Sequence, residues 1–125
     1  MDIRRYDIVQ ADLGETIGSE QGGIRPVLII QNDVGNIYSS CTIIMPLSSK
    51  LKSLNMPTHT IIHKSIDNGL KMDSVVLGEQ MRAISNQRII KKIGTVTDKK
   101  NTFKYSQSIW SEFWRIKEGV VLWNI

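Results

Sequence analysis

The sequence predicts a mostly β fold: a small antiparallel barrel with one C-terminal helix packed on it. Short runs rich in β-branched residues recur through the first two thirds of the chain. Turn-forming residues separate these runs, and a longer apolar stripe at helical spacing follows residue 98. At 125 residues, the chain is expected to form a single domain, residues 1–125, large enough to bury a core.

Five strands are predicted, at residues 6–13, 27–31, 41–47, 58–63 and 74–82. In the first, the period of two places Val9, Ala11 and Leu13 on one face. The second is continuously apolar and is expected to be central. In the third, Pro46 cannot donate a hydrogen bond and predicts an edge or a bulge. Loops and turns are predicted between the strands, at residues 14–23, 32–36, 50–57 and 66–73.

The last third of the chain predicts helical structure. Residues 86–94 have the pattern of a short helix ended by a glycine, and residues 95–97 add a small strand. A second helix, residues 98–117, carries an apolar stripe that indicates core or dimer packing rather than a ligand site. Gly119 ends this helix, and residues 120–123 form a short apolar tail that is expected to be either a strand or an interface segment.

Charge and composition narrow the classes of function. The net charge of +4 and the pI of about 9.3 favour an acidic partner, with nucleic acid the first candidate. Cys41 is the only cysteine, so an internal disulfide is excluded and a reducing compartment is favoured. The start of the chain lacks the pattern of a secretory signal, and no stretch is apolar enough to span a membrane. A cytoplasmic protein is therefore expected.

The stretch Gly18–Asp33 combines a polar, glycine-punctuated loop with an apolar run. Arg25 lies where the loop becomes the strand. A planar, permanently charged guanidinium on rigid backbone at that point suits a phosphate. The alternative is an ordinary hairpin loop before a core strand, with Arg25 in a surface ion pair.

Other chemistries have weaker signals. His59 and His63 are four residues apart, but in a strand they lie too far apart to bind one ion, so neither a metal nor a cofactor is expected. The serines lack the context of a nucleophile elbow, and the glycine spacing is not that of a nucleotide-binding loop. What remains is a phosphate-directed pair, Arg25 and the hydroxyl of Ser48. Side chains able to read unpaired bases are Glu20, Gln21, Asn32, Glu79, Gln80 and Arg82, with His59 as a binding-groove candidate.

Four segments stand in the order and spacing of one known family: residues 7–9, 18–33, 57–59 and 73–84. The string Ser-Glu-Gln-Gly-Gly-Ile-Arg-Pro within the second is long and specific. Over residues 4–116 the chain resembles the MazF/PemK toxins, which are endoribonucleases of bacterial type II toxin–antitoxin systems. The resemblance is to the Gram-positive MazF type.

The resemblance implies an SH3-like barrel with a C-terminal helix, working as a homodimer, and an acidic MazE-like antitoxin as partner. It implies metal-independent, sequence-specific cleavage of single-stranded RNA to 2′,3′-cyclic phosphate and 5′-OH ends. Arg25 matches the catalytic arginine, and Ser48 stands where the family commonly has a catalytic threonine. Residues that match or neighbour RNA-contacting positions are Ser19, Glu20, Gln21, Asn32, Glu79, Gln80 and Arg82. Tyr6 replaces a family glycine.

Two other functions remain open, because a fold does not fix an activity. The chain is also compatible with a non-catalytic toxin of the same fold, such as the CcdB-type gyrase poisons. It is equally compatible with a degenerate relative that binds RNA and cleaves poorly because of Ser48. Arg25 and Ser48 together on a basic groove would favour the nuclease, since a gyrase poison does not need them.

Overall fold

A computed structural model describes residues 2–50 and 59–98, where seven strands form one antiparallel sheet. The strands are β1 (Asp7–Asp12), β2 (Ile24–Ile29), β3 (Cys41–Ser48), β4 (His59–Ile62), β5 (Ser74–Leu77), β6 (Arg82–Ser85) and β7 (Ile89–Thr95). Their order is β4-β5-β3-β2-β1-β7, with β6 paired to β3. The other elements are a helix α1 (Asp33–Tyr38) and two 3-10 helices, Gly78–Gln80 and Asn86–Arg88.

The mostly β class is confirmed. The predicted helix at 98–117 and the tail at 120–123 lie outside the described residues, as does most of the predicted loop at 50–57. None of the helices in the described ranges has the length and apolar character needed to cross a membrane.

β2 is the centre of the sheet, as its apolar run predicts. It pairs with β1 on one side and with β3 on the other. Leu28 and Ile30 belong to one buried cluster, and Val27 and Ile29 belong to a second. Because both faces are covered, the usual alternation of apolar and polar residues disappears from this strand. The predicted common face of β1 is also confirmed, since its residues Val9 and Ala11 and the following Leu13 all join the second cluster.

Pro46 lies within a strand that is paired on both sides, so the predicted edge position is wrong. β3 pairs with β6 through residues 41–44 and with β5 through residues 47–48. Pro46 falls between these two segments, opposite Val27 of β2. A change of partner strand leaves a gap in the hydrogen bonding, where a residue without an N–H is accommodated.

The predicted turn at residues 32–36 is instead the start of α1. The Asn32 side-chain oxygen accepts a hydrogen bond from the Gly35 backbone N–H at 2.8 Å, which makes Asn32 the N-cap. The backbone N–H of Ser39 donates to the Gly35 carbonyl and closes the helix. The same residue types that form turns therefore begin a short helix here.

Two further predictions are wrong in the second half of the chain. The predicted strand at 74–82 stops at Leu77, and the 3-10 helix Gly78–Gln80 turns the chain before β6 begins. The predicted helix at 86–94 is a 3-10 turn followed by β7. β7 pairs with β1 from Asp7↔Thr95 to Ala11↔Ile89, and these long-range hydrogen bonds override the local helical pattern.

The predicted turn at residues 66–73 is confirmed, and it packs tightly on β7. Gly69 has φ +67°, and a Cβ there would lie 2.3 Å from the Ile93 carbonyl oxygen. A Cβ on Gly94 would lie 2.4 Å from the Asp67 carbonyl oxygen. The backbone N–H of Thr95 donates to that same carbonyl at 2.9 Å. This close backbone approach requires glycine and places the turn against β7.

Candidate active site

Arg25 is the second residue of β2, and its guanidinium is held along one edge. Nε donates to the Gly22 carbonyl at 2.9 Å. Nη1 donates to the side-chain oxygen of Gln21 and, at 3.3 Å, to the carbonyl of Leu47. A guanidinium has five N–H donors, so the two on Nη2 remain without a partner among the described residues. Within residues 2–50 and 59–98 the guanidinium pairs with no carboxylate, so the alternative of a surface ion pair is wrong there.

Ser48 ends β3 on the neighbouring strand. The register Val27↔Pro46, Leu28↔Met45, Ile29↔Ile44, continued by two residues, places Ser48 opposite Arg25. Ser48 is 8% exposed, and its hydroxyl oxygen accepts a hydrogen bond from the Lys50 backbone N–H at 3.2 Å. Since this contact uses a lone pair, the hydroxyl proton is available to an acceptor. The two residues predicted to act on phosphate therefore lie on adjacent strands at one end of the sheet.

The loop between β1 and β2 carries three of the predicted RNA-contacting residues. Its base is closed by the Gly23 N–H, which donates to the Gly14 carbonyl at 2.9 Å. Glu20 is exposed, and one of its carboxylate oxygens accepts from the Ile17 N–H at 3.3 Å. Gln21 contacts Arg25, whereas the Ser19 carbonyl accepts from the side-chain amide of Gln80 at 3.2 Å.

The 3-10 helix Gly78–Gln80 meets this loop across a small cavity of about 270 Å³. The cavity is lined by Glu20, Gln21, Pro46, Glu79, Gln80, Met81 and Arg82. Amide, carboxylate and guanidinium groups thus surround a recess beside the Arg25 contacts. Such groups can hydrogen-bond the edges of an unstacked base.

His59 reaches this region through its carboxylate partner. Its Nε2 lies 2.7–2.8 Å from the two carboxylate oxygens of Glu79, and the His59 side chain is only 6% exposed. His63 pairs instead with Asp73 at 3.1 Å. Hydrogen bonds to the Asp73 carboxylate from the Lys64 backbone and from His63 lower its pKa. The two histidines therefore have separate partners, and the described ranges contain no group of three or more potential metal ligands.

Asn32 is not brought to this end of the sheet. Seven residues separate it from Arg25, which is roughly 20 Å along an extended strand. Its side-chain oxygen caps α1. The structure thus brings nine of the ten predicted site residues to the region formed by Arg25, the β1–β2 loop, the small cavity and the 3-10 helix Gly78–Gln80, and leaves Asn32 beyond the far end of β2.

A second, larger cavity of about 530 Å³ adjoins Arg25 and includes residues that the sequence analysis missed. Its described lining is Gln10, Arg25, Pro26, Leu47, Ser49, Gly69, Leu70, Lys71, Met72, Ser74, Lys91, Lys92 and Ile93. Four of these are cationic and none is acidic. Lys92 is paired with the buried Asp7 at 3.1 Å, whereas Lys71 and Lys91 make no ion pair in the described part of the chain. The sequence analysis missed Lys91 and Lys92 because it placed them in a helix at residues 86–94, whereas they lie on β7.

Comparison with known proteins identifies the family. Residues 4–102 match the family described as PemK-like, MazF-like toxins of type II toxin–antitoxin systems. The chain is 43% identical over 98 residues to endoribonuclease EndoA of Bacillus subtilis, covering 78% of this chain and 84% of that protein. It is 46% identical over 98 residues to endoribonuclease MazF of Staphylococcus saprophyticus, covering 78% and 81%.

Solved structures have the same fold. MazF from Deinococcus radiodurans superposes with a TM-score of 0.74 at 18% identity, covering 90% of this chain and 97% of that one. A mycobacterial endoribonuclease in complex with its cognate antitoxin gives a TM-score of 0.72 at 18% identity, covering 89% and 94%. The matched sequence and the shared fold agree, and the chain belongs to the MazF/PemK toxin family of type II toxin–antitoxin systems.

Proposed function

We propose that this toxin is a sequence-specific endoribonuclease that cleaves single-stranded RNA at the Arg25–Ser48 site. The observation that carries the proposal is the guanidinium of Arg25, which is fixed by Nε and Nη1 and keeps both N–H groups of Nη2 for a ligand. A fixed positive group with unused donors is suited to a phosphate whose charge increases in the transition state. Both relatives compared above are named endoribonucleases.

The chemistry follows from RNA itself. The 2′-OH gives up its proton to solvent as it attacks the adjacent phosphorus, and the bond to the 5′ oxygen breaks as that oxygen takes a proton from solvent. The products are a 2′,3′-cyclic phosphate and a 5′-OH. Because the nucleophile belongs to the substrate, the step does not need a metal-bound water as its nucleophile. Arg25 stabilises the extra charge of the phosphorane, while the Ser48 hydroxyl donates to a non-bridging oxygen. Arginine is too weak an acid to serve as an efficient proton donor, so its role is electrostatic.

The two cavities suggest how the strand lies. The larger one supplies Lys71 and Lys91 for phosphates flanking the cleaved bond, since its described lining is cationic without a carboxylate. The smaller one supplies Glu20, Glu79 and Arg82 for bases. A path from one cavity to the other passes the Arg25–Ser48 pair. Along this path, phosphates of the strand contact the larger cavity on one side of the pair, and bases contact the smaller cavity on the other side.

The proposed protein partner of this toxin is an antitoxin. A mycobacterial relative has been solved in complex with its cognate antitoxin, and a Deinococcus MazF with MazE. The net charge of +4 and the cationic cavity here favour a MazE-like partner with an acidic segment that covers the RNA site. The resemblance to the MazF/PemK toxins supports a homodimer of SH3-like barrels as the working form.

The test is cleavage of a long mixed-sequence RNA in EDTA, with the ends mapped. The wild-type protein should cut at one short motif and leave 5′-OH ends. Arg25→Ala should reduce the rate by at least about 10²-fold, because the main stabiliser of the phosphorane is gone. Ser48→Ala should reduce it by about tenfold, the effect of losing one hydrogen bond to a charged group.

Arg4→Ala is the matched control, because Arg4 is an exposed arginine outside both cavities, and its ion pair within the described residues is with Asp2. It should cleave like the wild-type protein. An Arg25→Ala variant with normal activity would refute the proposed role. RNA left intact by every variant, including the wild type, would favour the non-catalytic alternatives, and a gyrase inhibition assay would then separate a gyrase poison from an RNA-binding relative.

A further inference from the structure

Gln80 is the described side chain that ties the 3-10 helix Gly78–Gln80 to the β1–β2 loop. Its side-chain oxygen accepts from the Gln21 backbone N–H at 2.8 Å. Its side-chain nitrogen donates to the Ser19 carbonyl at 3.2 Å. The two contacts span 59 and 61 residues of sequence, so they fix the loop relative to the sheet. Both ends of the amide face the protein backbone, which is a poor arrangement for reading a base.

Gln21 connects the fixed part of the loop to Arg25. While its backbone is held by Gln80, its side-chain oxygen accepts a hydrogen bond from Nη1 of Arg25. The next residue, Gly22, accepts from Nε of the same guanidinium at 2.9 Å. Two of the three bonds that orient Arg25 therefore come from the segment that Gln80 fixes.

We propose that Gln80 is a positioning residue that orients Arg25 through Gln21, and not a base-reading residue. This inference rests on the proposed function, because it assigns Gln80 a place in the same cleavage reaction. Without Gln80, the base of the loop stays closed at Gly23, which bonds to Leu13 and Gly14, but Ser19 and Gln21 lose their hydrogen bonds to the 3-10 helix. Of the three groups that accept from Arg25, Gln21 then loses its backbone restraint, whereas Leu47 stays on β3 and Gly22 stays next to the closed base of the loop. A small displacement of the charged group lowers the rate of the chemical step and leaves sequence choice unchanged.

The experiment compares Gln80→Met, which keeps the length and loses both hydrogen bonds, with Gln80→Glu. The glutamate retains an acceptor for the Gln21 N–H and loses the donor to Ser19. The substrate is a short RNA containing the motif mapped with the wild-type protein. We expect Gln80→Met to lower kcat about tenfold with KM within about twofold, and Gln80→Glu to give an intermediate kcat. The cleavage motif should be the same for all three proteins.

Gln87→Met is the matched control, since Gln87 is an exposed glutamine on the other 3-10 helix. It should match the wild-type protein. In a double variant, Gln21→Met with Gln80→Met, the loss of kcat should be smaller than the two single losses combined, because both residues act on Arg25 through one chain of contacts. Additive losses would contradict that chain.

Three outcomes overturn the inference. The first is a wild-type kcat for Gln80→Met. The second is a changed preference of this variant at one base of the motif, with an unchanged rate on its new best substrate. The third is a change in KM without a change in kcat. If Gln80→Met does not fold, Gln80→Glu decides by the same criteria. Arg25→Ala in the same assay separates the proposed cleavage function from the positioning role of Gln80. If Arg25→Ala is active, the proposed function fails, whereas an inactive Arg25→Ala beside a fully active Gln80→Met removes only the positioning role.

Discussion

The two ends of β2 use their polar side chains in opposite ways. At the start, Arg25 donates hydrogen bonds to Gly22, Gln21 and Leu47, which fix its guanidinium. It still has two N–H donors without a partner among the described residues. At the far end, the polar groups contact one another. Asn32 caps α1, Gln31 donates to the Cys41 carbonyl, and Thr42 donates to Asn36 at 2.7 Å.

The difference shows how one rigid strand supports two roles. The buried middle of β2, Val27 to Ile29, anchors both ends to the core. What distinguishes them is whether hydrogen-bonding capacity remains after folding. A group left with unused donors at a fixed position can bind a ligand without first breaking an internal contact, whereas a cap must give up helix stability to do so.

The largest effect should come from Arg25→Lys, which keeps the charge at the ligand-binding end and removes the planar fork. A lysine ammonium cannot contact Gly22, Gln21 and Leu47 and also present two parallel donors to a phosphate. We expect a fall in kcat of about 10²-fold, measured on the short RNA substrate. A lysine variant with near-normal kcat would mean that charge alone suffices and that the restrained geometry is unimportant.

An intermediate effect should come from Lys91→Glu in the larger cavity. The substitution places a carboxylate among cations that would otherwise contact phosphates. RNA affinity should fall several-fold at low salt, and the slope of log affinity against log salt should decrease by about one or more. Lys64→Glu, outside both cavities, is the control for net charge. Equal losses in the two variants would mean that the cavity is not the route of the strand.

The smallest effect on cleavage should come from Asn32. Asn32→Ala should lower the free energy of unfolding by about 1 kcal/mol through loss of the cap, while Asn32→Asp keeps a capping oxygen and most of the stability. Thermal unfolding and kcat of both variants measure this. A stable Asn32→Asp protein with lost activity or altered motif would show that Asn32 contacts RNA, as the family resemblance predicts.

Much of the fold follows from local patterns. Strands β1 to β4 were predicted within a few residues because each is a short apolar run between turn residues. β7 was predicted as a helix because its isoleucines and lysines fit helical spacing and Gly94 resembles a helix end. That glycine is needed instead for its approach to Asp67, a contact with a distant part of the chain that local sequence does not encode.

For the candidate site, too, the sequence predicted some residues and missed others. The specific loop string predicted Arg25 and its neighbours, and Ser48 was added for its hydroxyl and for its match to a catalytic threonine in the family resemblance. The lysines of the larger cavity were missed, since they reach it only through the pairing of β7 with β1 and the packing of the 66–73 turn. Gln80 was predicted, but its bonds to the loop depend on a 3-10 turn that alternation along a strand does not anticipate.

The long sequence separation of these contacts has a consequence during protein synthesis. A chain emerging from the ribosome at about 5–20 residues per second contains Arg25 several seconds before it contains Gln80 or β7. β1 cannot acquire its second neighbour until Thr95 has been made. The nascent chain therefore carries Arg25 on an unfinished sheet, and the proposed site forms only when nearly all of the described chain has been translated.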